Sequence, residues 1–457
     1  MASGERRKEG IPAPAAPTRR DLLRGAAAAA ALGGIAGAPA ARGAARTAGA
    51  VPAGTGDPLR TGSTAAGASP HVAVVGAGAF GGWTALWLRR LGARVTLLDA
   101  WGPGNARASS GGETRVIRGM YGPDRVYTAW VVRSLALWRE SARSWELDLY
   151  HPTGALWLFR GDDAYARASL PVVAEAGLRV ERLDLAEGRR RFPQVRFDGV
   201  GSAYFEAEAG YLTARRACQA VARAVVAEGG EYRDAAATPG AIRAGRMETL
   251  CLSDGGTLAA DAYVFACGPW LGQLFPQAVG ERIRPTRQEV FFFGLPAGDR
   301  RFEEGSCPVW VDFGERVFYG VPGNERRGFK VADDTHGETV EPTGLERVPS
   351  PEALARARDL LRERFPALAD APLLEARVCQ YESTRDGHFL IDRHPEAQNA
   401  WLLGGGSGHG FKLGPALGER VAAWVLGREE PLAKFALARL QQPQGPERSQ
   451  LEAKDEG

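Results

Sequence analysis

The chain has 457 residues, about three times the length of a typical domain, with 44% hydrophobic and 24% charged residues. These proportions exclude a single small module and a wholly disordered chain. The first 70 residues carry nine of the 57 basic and four of the 54 acidic side chains, which leaves 48 and 50 and a net charge of −2 for the rest. That balance lacks the basic excess that nucleic-acid binding requires. Five cysteines are too few, and odd in number, for a disulfide scaffold.

The N-terminal region has the order of parts expected of an export signal. Arg19 and Arg20 precede two leucines, an Ala/Gly-rich run follows, and a small-residue triplet surrounds Pro39. This order is similar to a twin-arginine signal, whose route exports folded proteins. The run is too short and too weakly apolar for a membrane span, and a disordered Ala-rich leader is the alternative. We predict a signal region over 1–45, a flexible linker over 46–70, and a periplasmic or extracellular location without a membrane span.

A strand, glycine turn, helix and second strand open the part of the chain that we expect to fold. The turn has the pattern G-x-G-x-x-G, whose glycines allow a sharp turn, close approach to a pyrophosphate and close helix packing. The helix start offers N–H groups to the phosphates, and an acid after the second strand can accept hydrogen bonds from a ribose. The pattern comprises the strand 72–75, Gly76, Gly78, Gly81, the helix 83–91, the strand 95–98 and Asp99. It predicts a dinucleotide site and leaves NAD and FAD open.

Three later segments favour FAD. Residues 108–118 are polar and contain glycines, residues 261–270 form a predicted strand that ends in a small-residue turn, and residues 404–412 form a glycine-rich turn. A predicted helix continues from Pro415 to about Leu426. A glycine turn that leads into a helix start can stabilise an anionic isoalloxazine, the form that a reduced flavin takes.

With these motifs the chain resembles the D-amino-acid-oxidase-type FAD oxidoreductases, and among them the monomeric sarcosine oxidase and N-methyltryptophan oxidase group. The resemblance covers about 71–440 and is most specific at 112–118 (GETRVIR), 378–384 (VCQYEST) and 407–412 (SGHGFK). It implies an α/β fold in which a Rossmann-type FAD-binding domain is interleaved with an antiparallel-sheet substrate domain. The expected bounds are 71–155, 200–285 and 372–435 for the FAD-binding domain, 156–199 and 286–371 for the substrate domain, and 436–457 for a polar tail.

The resemblance also implies roles for individual residues. It implies a thioether between FAD and Cys379, for which an inert buried cysteine is the alternative. It implies a substrate-carboxylate site at Arg118 and Lys412, oxygen activation at Lys330, and Tyr381 in the wall of the site. Further cofactor contacts are expected at Gly76, Gly78, Gly81, Asp99, Ser110, Thr114, Arg115, Gly268, Trp270, Ser407, Gly408, His409, Gly410 and Phe411, and again at Cys379 and Lys412.

The distribution of lysines gives an independent argument. The chain has five lysines against 52 arginines, and only Lys330, Lys412 and Lys434 lie between residues 71 and 440. Two of these three fall on motif positions, whereas arginine supplies nearly every other cation. A compact ammonium suits a tight site beside a flavin better than a wide guanidinium.

The chain departs from the family pattern at two positions. Gly111 and Asp334 stand where the family has histidines. We include Asp334 among the catalytic candidates, because a carboxylate there could hold a cationic amine or exclude an acidic one, and His336 could partly compensate. The substrate therefore need not be sarcosine. No His/Cys/Asp cluster has the spacing of a metal site, so we predict no metal.

The implied reaction is oxidation of the C–N bond of a secondary or N-methyl amino acid, with O2 as acceptor and an imine and H2O2 as products. We expect a monomer that acts on a small amino acid. Two alternatives remain open at this point: an exported FAD-dependent amino-acid dehydrogenase that passes electrons to a quinone or carrier, and a flavin-bearing binding protein without turnover.

Overall fold

The computed structural model describes residues 69–442, and a six-stranded sheet forms its centre. Its strands run parallel except for the outermost, Leu390–His394, which is antiparallel to its neighbour. Val72 and Val74 face a core formed with helices, whereas Ala73 and Val75 face a second core on the opposite side. Burial on both faces explains why this strand is apolar throughout. In spatial order the strands are Leu390–His394, Ala397–Gly404, Ala262–Phe265, His71–Val75, Arg94–Asp99 and Glu231–Asp234.

The first core is covered by three packed helices, Ala79–Arg90, Ala214–Ala227 and Gly414–Val425. Other α-helices and small sheets surround this centre. The helices are Arg125–Ser144, Ala164–Glu175, Leu185–Arg191, Leu271–Leu274 and Pro351–Arg364. The small sheets comprise Thr114–Ile117 with Gly210–Thr213 and Tyr150–His151, Ala237–Pro239 with Leu250–Leu252 and Thr257–Leu258, and Ile242–Arg243 with Arg246–Met247.

The carboxyl ends of three neighbouring strands meet at one edge of the six-stranded sheet. The register sets Val75 beside both Leu98 and Phe265. The chain therefore leaves these strands into the Gly76 turn, Asp99 and a short turn at 266–268. In open parallel sheets this edge is where ligands bind.

A second, eight-stranded sheet lies beside the first. It is antiparallel except at one pair, Ala155–Phe159 with Val309–Phe313. Helix Pro351–Arg364 packs against it, and the buried guanidinium of Arg364 contacts the buried carboxylate of Asp312 at 2.5 Å. In spatial order the strands are Leu373–Thr384, Ile283–Phe293, Phe329–Asp333, Val317–Val321, Val309–Phe313, Ala155–Phe159, Ser202–Glu206 and Val180–Leu183.

Sheet membership differs from the predicted domain bounds at two strands. Leu373–Thr384 and Ser202–Glu206 fall inside segments assigned to the FAD-binding domain, yet both pair in the eight-stranded sheet. Local residue preferences can identify such segments as strands, but the choice of sheet depends on partners far away in the chain. The two-sheet α/β architecture itself agrees with the predicted fold class.

The predicted tail also begins too early. Leu437–Gln441 forms a 3-10 helix whose Leu437 and Leu440 are buried against the core below the six-stranded sheet. The predicted signal region, nearly all of the linker and residues 443–457 lie outside the described residues. Among residues 69–442, no helix combines the length and apolar character that a bilayer crossing needs.

The tight turn at Gly76 generates a stability prediction. Gly76 has φ +107°, and a Cβ there would lie 2.2 Å from the carbonyl oxygen of Ala266, whereas Gly92 has φ +94° with open space around a Cβ. Gly92→Ala should lose about 1–2 kcal/mol of unfolding free energy from backbone strain alone. Gly76→Ala should lose about 1–3 kcal/mol more because it also overpacks the turn. Urea unfolding of both variants measures the difference, and equal losses would contradict the steric argument.

Candidate active site

Three cavities converge on two side chains, Arg115 and Tyr381, which line all of them. The first cavity runs along the carboxyl edge of the six-stranded sheet. The second lies between the two sheets, around Arg118 and Lys412. The third opens over the eight-stranded sheet, beside Lys330. A long ligand in the first cavity therefore ends where it can meet groups in the other two.

The first cavity has the donors and the space that a dinucleotide needs. Helix Ala79–Arg90 begins after Gly78, and at its start the hydroxyl of Ser110 accepts a hydrogen bond from the N–H of Ala79 at 3.2 Å. Asp99 accepts hydrogen bonds from the N–H groups of Ala77 at 2.8 Å and Trp101 at 2.9 Å, which fixes its carboxylate at the strand end. Gly81 packs so closely on the turn that a Cβ would lie 2.0 Å from the carbonyl oxygen of Gly76. These residues fit FAD, and the helix start would hold its pyrophosphate.

Most of the predicted cofactor residues line this first cavity. Six do not: His409 and Lys412 line the second cavity, Cys379 lines the third, and Gly81, Thr114 and Ser407 line none of the three. Gly81 supports the turn, Thr114 uses its carbonyl oxygen to hold Lys330, and the Ser407 hydroxyl bonds the Gly405 carbonyl within the glycine turn. The predicted cofactor residues that line it are Gly76, Gly78, Asp99, Ser110, Arg115, Gly268, Trp270, Gly408, Gly410 and Phe411, and Tyr381, which was predicted in the wall of the substrate site, lines it as well.

The second cavity contains two buried cations. The Lys412 ammonium donates hydrogen bonds to the carbonyl oxygen of His409 at 2.9 Å and the Tyr121 hydroxyl at 3.2 Å. Arg118 donates to the Tyr165 hydroxyl at 3.1 Å, and its guanidinium carbon lies 4.4 Å from the centre of the Tyr121 ring. Burial, reinforced by the charge of Arg118, holds the pKa of Lys412 well below its usual value. Two like charges out of water favour an anionic ligand between them.

Asp334 supplies a carboxylate to the same cavity. Its Oδ1 accepts a hydrogen bond from the Tyr381 hydroxyl at 2.7 Å. Burial raises the pKa of Asp334, while the Tyr381 hydrogen bond and the nearby cations oppose that rise. The cavity thus combines two cations with one carboxylate, which is the charge pattern of a site for a zwitterion.

The third cavity brings Lys330 and Cys379 to the junction. The Lys330 ammonium donates to the carbonyl oxygen of Thr114 at 3.1 Å and lies 5.1 Å from the centre of the Tyr319 ring. Burial and the charge of Arg115 lower the pKa of Lys330 to about 7. The Cys379 sulfur lies 3.6 Å from a guanidinium nitrogen of Arg115.

His409 lines the second cavity, whereas Gly111 lines the third. The His409 ring is buried, with one nitrogen 3.2 Å from the Tyr121 hydroxyl and the other 3.0 Å from the Gly387 carbonyl oxygen. Both its ring and its backbone carbonyl, which accepts from Lys412, therefore support the second cavity. Gly111 borders the third cavity, and a Cβ there would meet the carbonyl oxygen of Asn105.

Across residues 69–442, no cluster of three or more His, Cys, Asp or Glu side chains is arranged to hold a metal ion.

Sequence reasoning missed two buried carboxyl groups at this site. Glu382 lines the first cavity, burial raises its pKa to about 8, and its Oε2 has no hydrogen-bond partner among the described residues. In the sequence, Glu382 could have been found as an acidic residue directly after Tyr381, in a predicted strand of alternating polar and apolar residues. Glu206 accepts a hydrogen bond from the N–H of Gly119, next to Arg118, and burial raises its pKa to about 7. No local pattern marks Glu206, since only the fold places it there.

Comparison with known proteins agrees with this geometry. The family model described as "FAD dependent oxidoreductase" matches residues 71–424. The chain is 29% identical to the monomeric sarcosine oxidase of Bacillus sp. (strain B-0618), over 78% of this chain and 92% of that protein. It is 28% identical to the N-methyl-L-tryptophan oxidase of Salmonella newport (strain SL254), over 81% and 98%. The crystal structure of L-proline dehydrogenase from P. horikoshii superposes with a TM-score of 0.71 at 20% identity, over 82% and 98%, which shows a shared fold.

Proposed function

The chain belongs to the FAD-dependent oxidoreductase family, and from that premise we propose that it oxidises the C–N bond of a secondary or N-methyl amino acid with O2 as the electron acceptor. FAD in the first cavity would take two electrons from the substrate and deliver them to O2, with H2O2 as product. The observation that carries the proposal is the meeting of a buried cation pair with the end of the cofactor cavity at Tyr381. The names of the oxidase relatives support the substrate class.

The protein's part in the reaction is to bind and orient. Arg118 and Lys412 would hold the substrate carboxylate, since both are buried cations that line the second cavity. A carboxylate fixed there directs the adjacent carbon and nitrogen toward Tyr381 and Arg115, where the cofactor cavity ends. Holding the reacting atoms in one orientation contributes to catalysis without any further chemistry from the protein.

We predict that loss of the Lys412 charge weakens substrate binding. A charge-assisted hydrogen bond contributes on the order of 1.5–3 kcal/mol, so Lys412→Met should raise the dissociation constant of the substrate at least about tenfold. Lys434→Met is the matched control, because Lys434 pairs with Asp124 away from the second cavity. Flavin bleaching under nitrogen, with a panel of amino acids and N-alkyl amines, measures both variants. Equal bleaching of the wild type by an amino acid and its decarboxylated amine would refute carboxylate binding.

Lys330 is the group that favours an oxidase over a dehydrogenase. Electron transfer to O2 begins by creating an anion, and a fixed cation at the junction stabilises that charge as it forms. Lys330 is 2% exposed and borders a cavity of about 360 Å³, so O2 could reach it through the third cavity. The shared fold with a dehydrogenase leaves the choice of acceptor to such side chains.

We predict that Lys330→Met slows reoxidation by O2 about a hundredfold or more, with little change in anaerobic reduction by substrate. Removal of one preorganised charge costs roughly 2.7–4 kcal/mol in a comparable site, which corresponds to that factor. Rapid mixing of the substrate-reduced protein with air-saturated buffer measures the rate. If wild-type FAD stays reduced for minutes in air, the dehydrogenase alternative is correct.

We also propose that FAD is attached to Cys379. The sulfur stands at the junction of the cavities, beside Arg115, and Cys379 belongs to the motif at 378–384. It is half-buried and forms no disulfide, as is also true of Cys267 in the first cavity. Cys379 lies beside Arg115, where the three cavities meet, whereas Cys267 lies elsewhere in the wall of the first cavity. Cys379 is therefore the better candidate.

We predict that yellow colour stays with the protein after acid precipitation and moves to the supernatant in Cys379→Ser. A covalent bond survives unfolding, whereas affinity does not. Cys251→Ser is the control, because Cys251, in the strand Leu250–Leu252, is exposed and lines none of the three cavities. Release of the colour from the wild type would show that the cofactor is held by affinity alone.

Export remains part of the proposal. Arg19 and Arg20 motivate it, and a bound cofactor suits a route that carries folded proteins. Fractionation of cells that express a variant with both arginines changed to lysine tests it, since mature protein outside the cytoplasm would contradict this route.

A further inference from the structure

The second cavity has a charge arrangement that carboxylate binding alone does not explain. Arg118 and Lys412 provide two cations, and Asp334 adds a carboxylate to the same small space. A site for a simple carboxylic acid gains nothing from a second carboxylate, because the two anions would repel. A site for a zwitterion needs both signs of charge. The Asp334 carboxylate is kept in place by the Tyr381 hydroxyl at 2.7 Å, at the side chain that also borders the cofactor cavity.

We propose that Asp334 binds the nitrogen of the substrate as an ammonium ion and accepts its proton before the C–N bond is oxidised. This inference rests on the proposed function and names its substrate class: amino acids whose secondary amine is protonated in solution and carries no acidic substituent. Nitrogen bound beside Asp334 and carboxylate bound by Arg118 and Lys412 would fix the molecule at both ends.

The proton step balances without another reactant. The N–H bond of the ammonium breaks, its electron pair stays on nitrogen, and the proton moves to a carboxylate oxygen of Asp334, which becomes neutral. The amine then has the lone pair that a C=N bond requires. FAD, when bound, would accept the hydrogen of the neighbouring carbon together with two electrons. Water hydrolyses the resulting C=N cation, and the proton on Asp334 returns to solvent after product leaves.

Several groups face Asp334 and set its behaviour. Tyr381 and Tyr319 approach from two strands of the eight-stranded sheet, and His336 lies two residues along its own segment. The positive charges that act on it come from Arg118 and Lys412 in the second cavity and from Lys330 in the third. Burial raises the pKa of Asp334 against these cations, which brings its proton affinity closer to that of an amine.

Binding of two unreactive ligands tests the charge preference directly. Betaine, which is N,N,N-trimethylglycine, and 3,3-dimethylbutanoate have the same shape and carboxylate, but only betaine carries a positive nitrogen. Absorbance changes of the FAD-loaded protein give their dissociation constants. The wild type should prefer betaine at least about tenfold, and Asp334→Asn should reduce that ratio to near one. A wild type that binds dimethylbutanoate as tightly as betaine, or that binds neither, would overturn the proposal.

The pH dependence of anaerobic reduction tests the proton step. Without a carboxylate, reduction must wait for amine that is already neutral, so Asp334→Asn should shift the rising limb of the rate upward by at least about two pH units, toward the ordinary amine value near 10. Asp333→Asn is the matched control. Asp333 is the neighbouring residue, but it pairs with Arg316, and its loss should leave the profile in place. Identical profiles for wild type and Asp334→Asn would refute proton transfer to Asp334.

The two experiments separate this inference from the proposed function. If no amino acid bleaches the wild-type flavin, the proposed function fails, yet the betaine comparison still reports on Asp334. If amino acids bleach it and both ligands bind equally, the function stands and the inference fails. The wild-type preference is measurable even if Asp334→Asn does not fold.

Discussion

The site is organised by the cost of burying cations. Arg118, Lys330 and Lys412 are between 2% and 5% exposed, and all lie near the point where the cavities converge. Charged groups removed from water are costly unless an opposite charge compensates them. Each lysine donates a hydrogen bond to a backbone carbonyl, of Thr114 or His409, and within residues 69–442 neither forms a direct ion pair. A carbonyl dipole fixes the position of an ammonium but leaves its charge uncompensated. The protein thereby retains attraction for an anionic ligand.

The backbone that provides these carbonyls belongs to the cofactor motifs. Thr114 begins the strand Thr114–Ile117, which follows the glycine-bearing segment of the first cavity, and His409 lies in the glycine turn before helix Gly414–Val425. The same segments thus shape the cofactor cavity and position the cations beside it. A change in either segment would move both. This coupling explains why the motifs combine glycines with Lys412 within a few residues.

The sequence predicted what depends on local spacing. The turn from Gly76 to Gly81, Asp99 and the two motif lysines follow from short patterns whose chemistry dictates the residue type. Sheet membership of Leu373–Thr384 did not follow, because it depends on pairing with Ile283–Phe293, almost a hundred residues earlier. The carboxyl groups Glu206 and Glu382 were missed for the same reason. Their unusual pKa values arise from burial, which only the folded chain creates.

Lysine can release its proton when it is buried, whereas arginine cannot. This difference explains why the site uses lysine in an arginine-rich chain. A guanidinium stays charged in any protein environment, whereas burial lowers the pKa of an ammonium, for Lys330 to about 7. An anion bound nearby favours the protonated form and raises that pKa again. Burial also lowers the pKa of Lys412, so an anion bound beside either lysine would stabilise its protonated form. Arginine at these positions would carry the full burial cost in the empty protein, which makes lysine the residue that reconciles stability with anion binding.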